Sequence, residues 1–142
     1  MRKHLKKYID QKFKFQAEFK RYGLKSNYIG GDTATMLLLD VKTSPKVNEE
    51  IFLEHFWANV GKTLARKNIR EGAKISFNAW IRDYKKGYVN LKQGINEQRK
   101  DFTLKRLSKI KIISEGKGIS FNQFIQKMKD SNKFITNLYE NL

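Results

Sequence analysis

The stretch GKTLARKNIREGAKISFNAWIRDY, residues 61–84, decides the fold. Gly61 to Asn68 is too short and too rich in helix formers to be a strand, and it predicts a helix of one to two turns. Glu71-Gly72 then turns the chain. Beyond the turn, Ile75, Phe77, Ala79 and Ile81 alternate with Ser76, Asn78, Trp80, Arg82 and Tyr84. That period of two is the mark of a strand with one face in a core.

Working outward toward the N-terminus, residues 51–59 predict another strand. Two more precede it. Phe13, Phe15, Ala17 and Phe19 alternate with Lys12, Lys14, Gln16, Glu18 and Lys20, which predicts a half-buried strand ending near Tyr22-Gly23. A loop with Lys25, Asn27, Tyr28, Gly30 and Gly31 follows, and residues 34–42 read as a more continuously apolar strand before Pro45. Toward the C-terminus, residues 85–101 are polar with Gly87 and Gly94, which predicts a long hairpin loop, and residues 102–113 predict a fifth strand with Thr103, Lys105, Lys109 and Lys111 on one face. Gly116 and Gly118 break the pattern. Ser120-Phe121-Asn122-Gln123 has capping-box spacing, and Phe124, Ile125, Met128, Ile135, Leu138, Tyr139 and Leu142 follow at helical spacing, with a possible break at Asp130-Ser131-Asn132.

Five strands, a short helix between the third and fourth, and long loops after the first and fourth give the element order of an oligonucleotide/oligosaccharide-binding (OB) barrel. The expected class is therefore mainly β, with a C-terminal helical extension. The expected organisation is a basic N-terminal arm (1–11), an OB domain (12–113) and the extension (114–142).

Charge points to the partner. The chain has 142 residues and carries 30 Lys and Arg against 14 Asp and Glu, a formal +16. Solubility needs a net charge of only about 2–8, so an excess of this size calls for an anion, with nucleic acid the first candidate. Residues 114–142 hold Lys117, Lys127, Lys129 and Lys133 against Glu115, Asp130 and Glu140, so nearly all of the excess lies in the strand-rich part. There is no cysteine, which excludes disulfides, thiolate metal sites and thiol catalysis. No apolar run has secretory or membrane-spanning length, so a soluble cytoplasmic protein with no membrane partner is the expectation.

Residues 54–64 (EHFWANVGKTL), 72–80 (GAKISFNAW) and 83–88 (DYKKGY) carry a resemblance. The chain looks like plasmid- and phage-borne OB-fold proteins. In particular it resembles the PrgE-type single-stranded DNA-binding proteins of Gram-positive conjugative plasmids, over roughly residues 12–113. The resemblance implies an OB fold, sequence-tolerant binding of single strands and a role accessory to plasmid transfer. Housekeeping bacterial single-strand binders end in a flexible tail with an acidic tip, whereas this sequence ends Tyr139-Glu140-Asn141-Leu142. Recruitment of repair enzymes and the tetramer usual in that family are therefore not expected.

A sequence-tolerant binder needs aromatic platforms for bases interleaved with cations for phosphates. On the fourth strand Trp80, Arg82 and Tyr84 lie opposite the apolar face and look outward, unless the C-terminal helix covers Trp80. On the third strand Trp57 shares a face with His55 and is a second platform. Ile51 and Leu53 on that same face make a core position its competing arrangement. Tyr28 and Tyr88 fall in the two loops that flank an OB groove. Arg66, Lys67, Arg70, Lys85, Lys86, Arg99, Lys105 and Arg106 are the remaining expected phosphate partners. In the arm, Leu5, Tyr8 and Ile9 accompany Arg2, Lys3, Lys6 and Lys7, and the alternatives are a disordered tail or docking on a neighbouring subunit along the strand.

No catalytic constellation is legible. His4 and His55 are the only histidines, and Asp10, Glu18, Asp32, Asp40, Glu49, Glu50 and Glu54 form no metal-ligand pattern. The expectation is a protein without enzymatic activity, cofactor or metal. Three rival functions stay open: a metal-dependent nuclease, an RNA-binding OB module, because stacking and phosphate contacts do not separate RNA from DNA, and an interaction protein whose C-terminal helix grips a partner.

Overall fold

The computed structural model describes residues 3–27, 29–86, 89–90, 95–96 and 99–142, with side chains described at 4–27, 29–84 and 101–142. Strands β1 (Lys12–Lys25), β2 (Thr33–Thr43) and β3 (Phe52–Asn59) form a meander, followed by helix α1 (Lys62–Arg66) and strand β4 (Lys74–Lys86). The two-residue strands β5 (Val89–Asn90) and β6 (Ile95–Asn96) pair with each other, and β7 (Arg99–Ser114) returns along β4. The result is a mainly β chain built on a five-stranded antiparallel sheet in the order β3-β2-β1-β4-β7.

Two expected boundaries move. The β4–β7 ladder continues to Lys86 opposite Arg99, inside the stretch that reads as a loop, because its polar residues lack the apolar alternation that reveals a strand. β1 likewise runs past Tyr22-Gly23 to Lys25. Tyr22 anchors that extension, since its buried hydroxyl donates to the Ile69 carbonyl at 2.5 Å and its backbone N–H donates to the Glu71 carboxylate at 2.8 Å.

β1 is the axis of the sheet. Residues Lys12–Glu18 pair with β4, placing Phe15 opposite Phe77, and residues Phe15–Lys25 pair with β2. The β1–β2 register shifts twice, between Gln16 and Glu18 and between Phe19 and Arg21. Such bulges bend a strand and increase its twist. At the first shift Asp40 of β2 takes a positive φ of 51°, a left-handed conformation that side chains other than Gly, Asn and Asp rarely adopt. Around it the alternation changes phase, so that Ile51 just before β3 and Leu53 on it are buried, then Phe56 and Ala58. Trp57 therefore does not share the core face of Ile51 and Leu53.

Both chain ends pack into the cluster that the strands enclose. A 3-10 turn at Lys3–Tyr8 buries Leu5 completely and Tyr8 almost so, while Ile9 packs half-buried against the same core. The Tyr8 hydroxyl donates to Glu49 at 3.0 Å, and Asp10 N–H donates to the Ile81 carbonyl at 2.8 Å. This corrects the expectation that Leu5, Tyr8 and Ile9 dock on a neighbouring subunit. Burying apolar area within one chain avoids the freedom lost on association, and these side chains are committed to their own core.

Helix α2 (Phe121–Asp130) starts on a complete capping box between Ser120 and Gln123. It packs on the same molecule, with Phe121 and Phe124 against Tyr22 at ring separations of 5.4 and 5.3 Å. The chain reaches it through Gly116, where a Cβ would collide with the backbone of Arg70, Glu71 and Ala73. Beyond Ser131, Ile135 bridges to Asp32 and a 3-10 turn spans Asn137–Tyr139.

Removing the Tyr22 hydroxyl deprives a buried carbonyl of its donor, so Tyr22→Phe is expected to cost about 1–3 kcal/mol in urea unfolding. Burial, with the Glu71 carboxylate adding to it, pushes the Tyr22 phenol above its ordinary 10.0. The folded state thus holds the proton more tightly than the unfolded one, and stability is full below pH about 10 and falls above it. Tyr22→Phe should flatten that alkaline decline.

Candidate nucleic-acid interface

β3 and β7 are the two edges of the sheet, and both line one groove. Residues 56–59 of β3 and 103–111 of β7 line this space of about 1440 Å³. Small-ligand clefts hold roughly 300–1,000 Å³, so the groove has room for a longer ligand.

Three elements supply its cations. β1 contributes Arg21 and Lys25, α1 and the residues after it Lys62 and Lys67, and β7 Lys105, Arg106, Lys109 and Lys111. No aspartate or glutamate occurs among the described lining residues. Eight like charges along one trough focus a positive potential and attract a polyanion.

The short α1 is held down by buried Leu64 and Ala65, which leaves Lys62 and Lys67 at either end of it on the groove. On β7 the register against β4 shifts between Ser76 and Asn78 and again between Asn78 and Trp80. Each shift has a basic residue in the left-handed region, Lys109 with φ 49° and Arg106 with φ 56°. The bulges break the alternation, so neighbouring Lys105 and Arg106 are both exposed, as are Ser108 and Lys109. A regular strand would turn every second one of them inward.

Trp57 provides an aromatic surface. It is 42% exposed, and the Arg21 guanidinium carbon lies 5.0 Å from its ring centroid. Its indole reaches across to β1 because Gly23 has no side chain, and a Cβ there would stand 3.1 Å from the ring. A guanidinium and a base favour the same π face chemistry, so the pair forms a platform next to the cations.

Of the residues expected from sequence, the groove unites Trp57, Lys67, Lys105 and Arg106. Arg66 is exposed on α1 but does not line it. Arg70 is a strut whose Nε donates to the Gly118 carbonyl at 2.9 Å. Trp80 lies half-buried on β4, with the groups over its ring being Arg82 at 4.6 Å and Lys12 at 5.8 Å. Arg82 also pairs with Asp10 at 3.0 Å, and the Tyr84 hydroxyl donates to the Asp101 carboxylate at 3.2 Å. Trp80, Arg82 and Tyr84 therefore lie off the groove. Tyr28 and Tyr88 lie outside the described residues, as do the side chains of Lys85, Lys86 and Arg99.

Arg21, Lys25, Lys62, Lys109 and Lys111 escaped the sequence reading of the site. Arg21 and Lys25 lie at and beyond the point where β1 reads as ending. Lys109 and Lys111 were legible as partners of Lys105 on one strand face, and only the fold shows that this face borders β3. Among the described residues, no group of three or more His, Asp or Glu is placed to hold a metal ion, and no helix is long and apolar enough to cross a membrane. Compared with protein-family models, curated proteins and solved structures, the chain matches none.

The left-handed conformation costs a side chain about 1–2 kcal/mol, which glycine avoids at an entropic cost of roughly 0.5–1 kcal/mol. Arg106→Gly is therefore expected to leave stability unchanged or raise it by up to about 1 kcal/mol. Arg106→Val should lower it, because a β-branched residue tolerates that backbone least. Urea titration of the two variants checks both signs.

Proposed function

We propose that this protein binds single-stranded DNA without strong sequence preference along the groove between β3 and β7, and that its curled sheet is an OB-type barrel. The observation that carries the reading is the groove itself, with eight cations, no described carboxylate and an exposed Trp57 backed by Arg21. The barrel assignment is supported by the β1–β2–β3 meander, α1 between the third and fourth long strands, and β1 lying between β2 and β4.

Phosphates spaced along a flexible strand meet the Lys and Arg termini, while an unpaired base stacks on Trp57. Duplex DNA buries its base faces and offers only phosphates, so the aromatic surface favours single strands. The resemblance to PrgE-type proteins extends the proposal to DNA processing or transfer on a plasmid or other mobile element.

Fluorescence anisotropy of labelled oligo-dT, the matching RNA and duplex DNA at several salt concentrations tests this. Log affinity for single strands should fall against log salt with a slope between about −3.5 and −5.6, corresponding to about five to eight phosphate contacts at roughly 0.7 each. Replacing both Lys105 and Arg106 by Gln should reduce the slope by about 1.4. Trp57→Ala should cost about 1–3 kcal/mol of binding with the slope unchanged. Equal affinity for duplex and single strand would reduce the groove to a general polyanion patch. Stronger binding of the RNA would make RNA the ligand.

A further inference from the structure

The two tryptophans of the chain stand in matching settings. Trp57 stands on β3 with Arg21 over its ring at 5.0 Å, and Trp80 stands on β4 with Arg82 over its ring at 4.6 Å. The ladder joins Trp80 to the groove, because its partner on β7 is Lys105, one of the groove cations. On its other side Trp80 faces Lys12 of β1, whose Nζ is 5.8 Å from the ring. Lys12, Trp80 and Lys105 thus form one row across three strands, with directly opposed Cβ atoms about 4.5–5.5 Å apart.

The neighbouring rows keep the same character. Lys14, Asn78 and Ser108 form the next, and Gln16, Ser76 and Lys111 the one beyond, with Lys111 again on the groove. Among the described residues, carboxylates border this face at Asp101, which accepts from the Tyr84 hydroxyl at 3.2 Å, and at two further places. Asp10 is held by Arg82 at 3.0 Å, and Glu18 stands opposite Lys74 at the far end of the β1–β4 pairing. Between them lies a basic surface with one half-exposed indole.

We propose that a bound single strand does not stop at the groove: it crosses edge strand β7 at Lys105 and stacks a further base on Trp80, so that the protein holds two separate stacking sites. Lys105 is the shared point, contacting the phosphate that passes from one surface to the other. This inference rests on the groove reading and adds to it a second site, outside the groove, which only strands long enough to leave the groove reach.

The two tryptophans allow each site to be read alone. In Trp80→Phe only Trp57 emits, and in Trp57→Phe only Trp80 emits. Stacked bases quench indole fluorescence. Each variant is titrated with oligo-dT of about 5 and about 20 nucleotides, bracketing the site sizes of about 4–16 nucleotides typical of such folds. The expected result is that the short strand quenches Trp57 alone, whereas the long strand quenches both. Trp80→Ala should then weaken the long strand about 5- to 160-fold and leave the short strand unaffected, matching the stacking contribution of one base. Trp57 quenching with Trp80 silent at both lengths would overturn the second site and leave the groove standing. A Trp80 signal as strong with the short strand would place it within the first footprint and also overturn the proposal. No response from either tryptophan, with no binding by anisotropy, would remove both readings.

Discussion

The fold depends on what β1 must satisfy. One strand lies between β2 and β4, and over Phe15–Glu18 it is paired on both sides. Bulges near Ala17 and Lys20 let the two ladders diverge, so the strand bends and the sheet curls about it. A flat sheet would leave β3 and β7 on opposite margins. In the bent sheet, residues of both margins contribute to the lining of the one groove. Its walls follow from the backbone geometry of residues on the far side of the sheet.

Edge strands carry backbone donors and acceptors that invite pairing with other chains, and proteins commonly guard them with lysine and with bulges. β7 has both along Lys105–Lys111. The same devices that discourage strand addition place cations on neighbouring positions over the groove. Holding them there costs self-repulsion, as does the left-handed backbone at Arg106 and Lys109.

Much of the fold was legible because its signals are periodic. Phe15, Ala17 and Phe19, and Ile75, Phe77, Ala79 and Ile81, are buried as their alternation predicts, and the Ser120–Gln123 box opens a helix. What the sequence left open is decided where periodicity is interrupted. Asp40 changes the phase of the sheet between Leu53 and Phe56, which no count of twos can show, and this decides that Trp57 faces outward. The arm of residues 1–11 reads as a tail or as a docking element because its apolar residues show no partner within the chain, yet Leu5 is fully buried. The site was half legible for a related reason. Residue types pointed to cations and tryptophan, but which of them line one groove depends on how strands at the two ends of the sheet order are placed in the fold.

The C-terminal segment bears on the adaptor reading. A helix that grips another protein must offer an apolar face, and the apolar residues Phe121, Phe124 and Ile125 of α2 are buried against the core around Tyr22. Further along, the Tyr139 hydroxyl donates to the Val60 carbonyl at 2.7 Å and accepts from the Ala34 N–H at 2.9 Å. Burial pushes this phenol above its ordinary pKa, which keeps it a donor across the neutral range. Val60 follows β3 and precedes Gly61 and Lys62 on the groove wall, so the segment fixes the position of that wall. The last residues therefore clamp the end of β3 to the start of β2 from behind the groove through Tyr139, while Phe134 and Leu142 stay exposed.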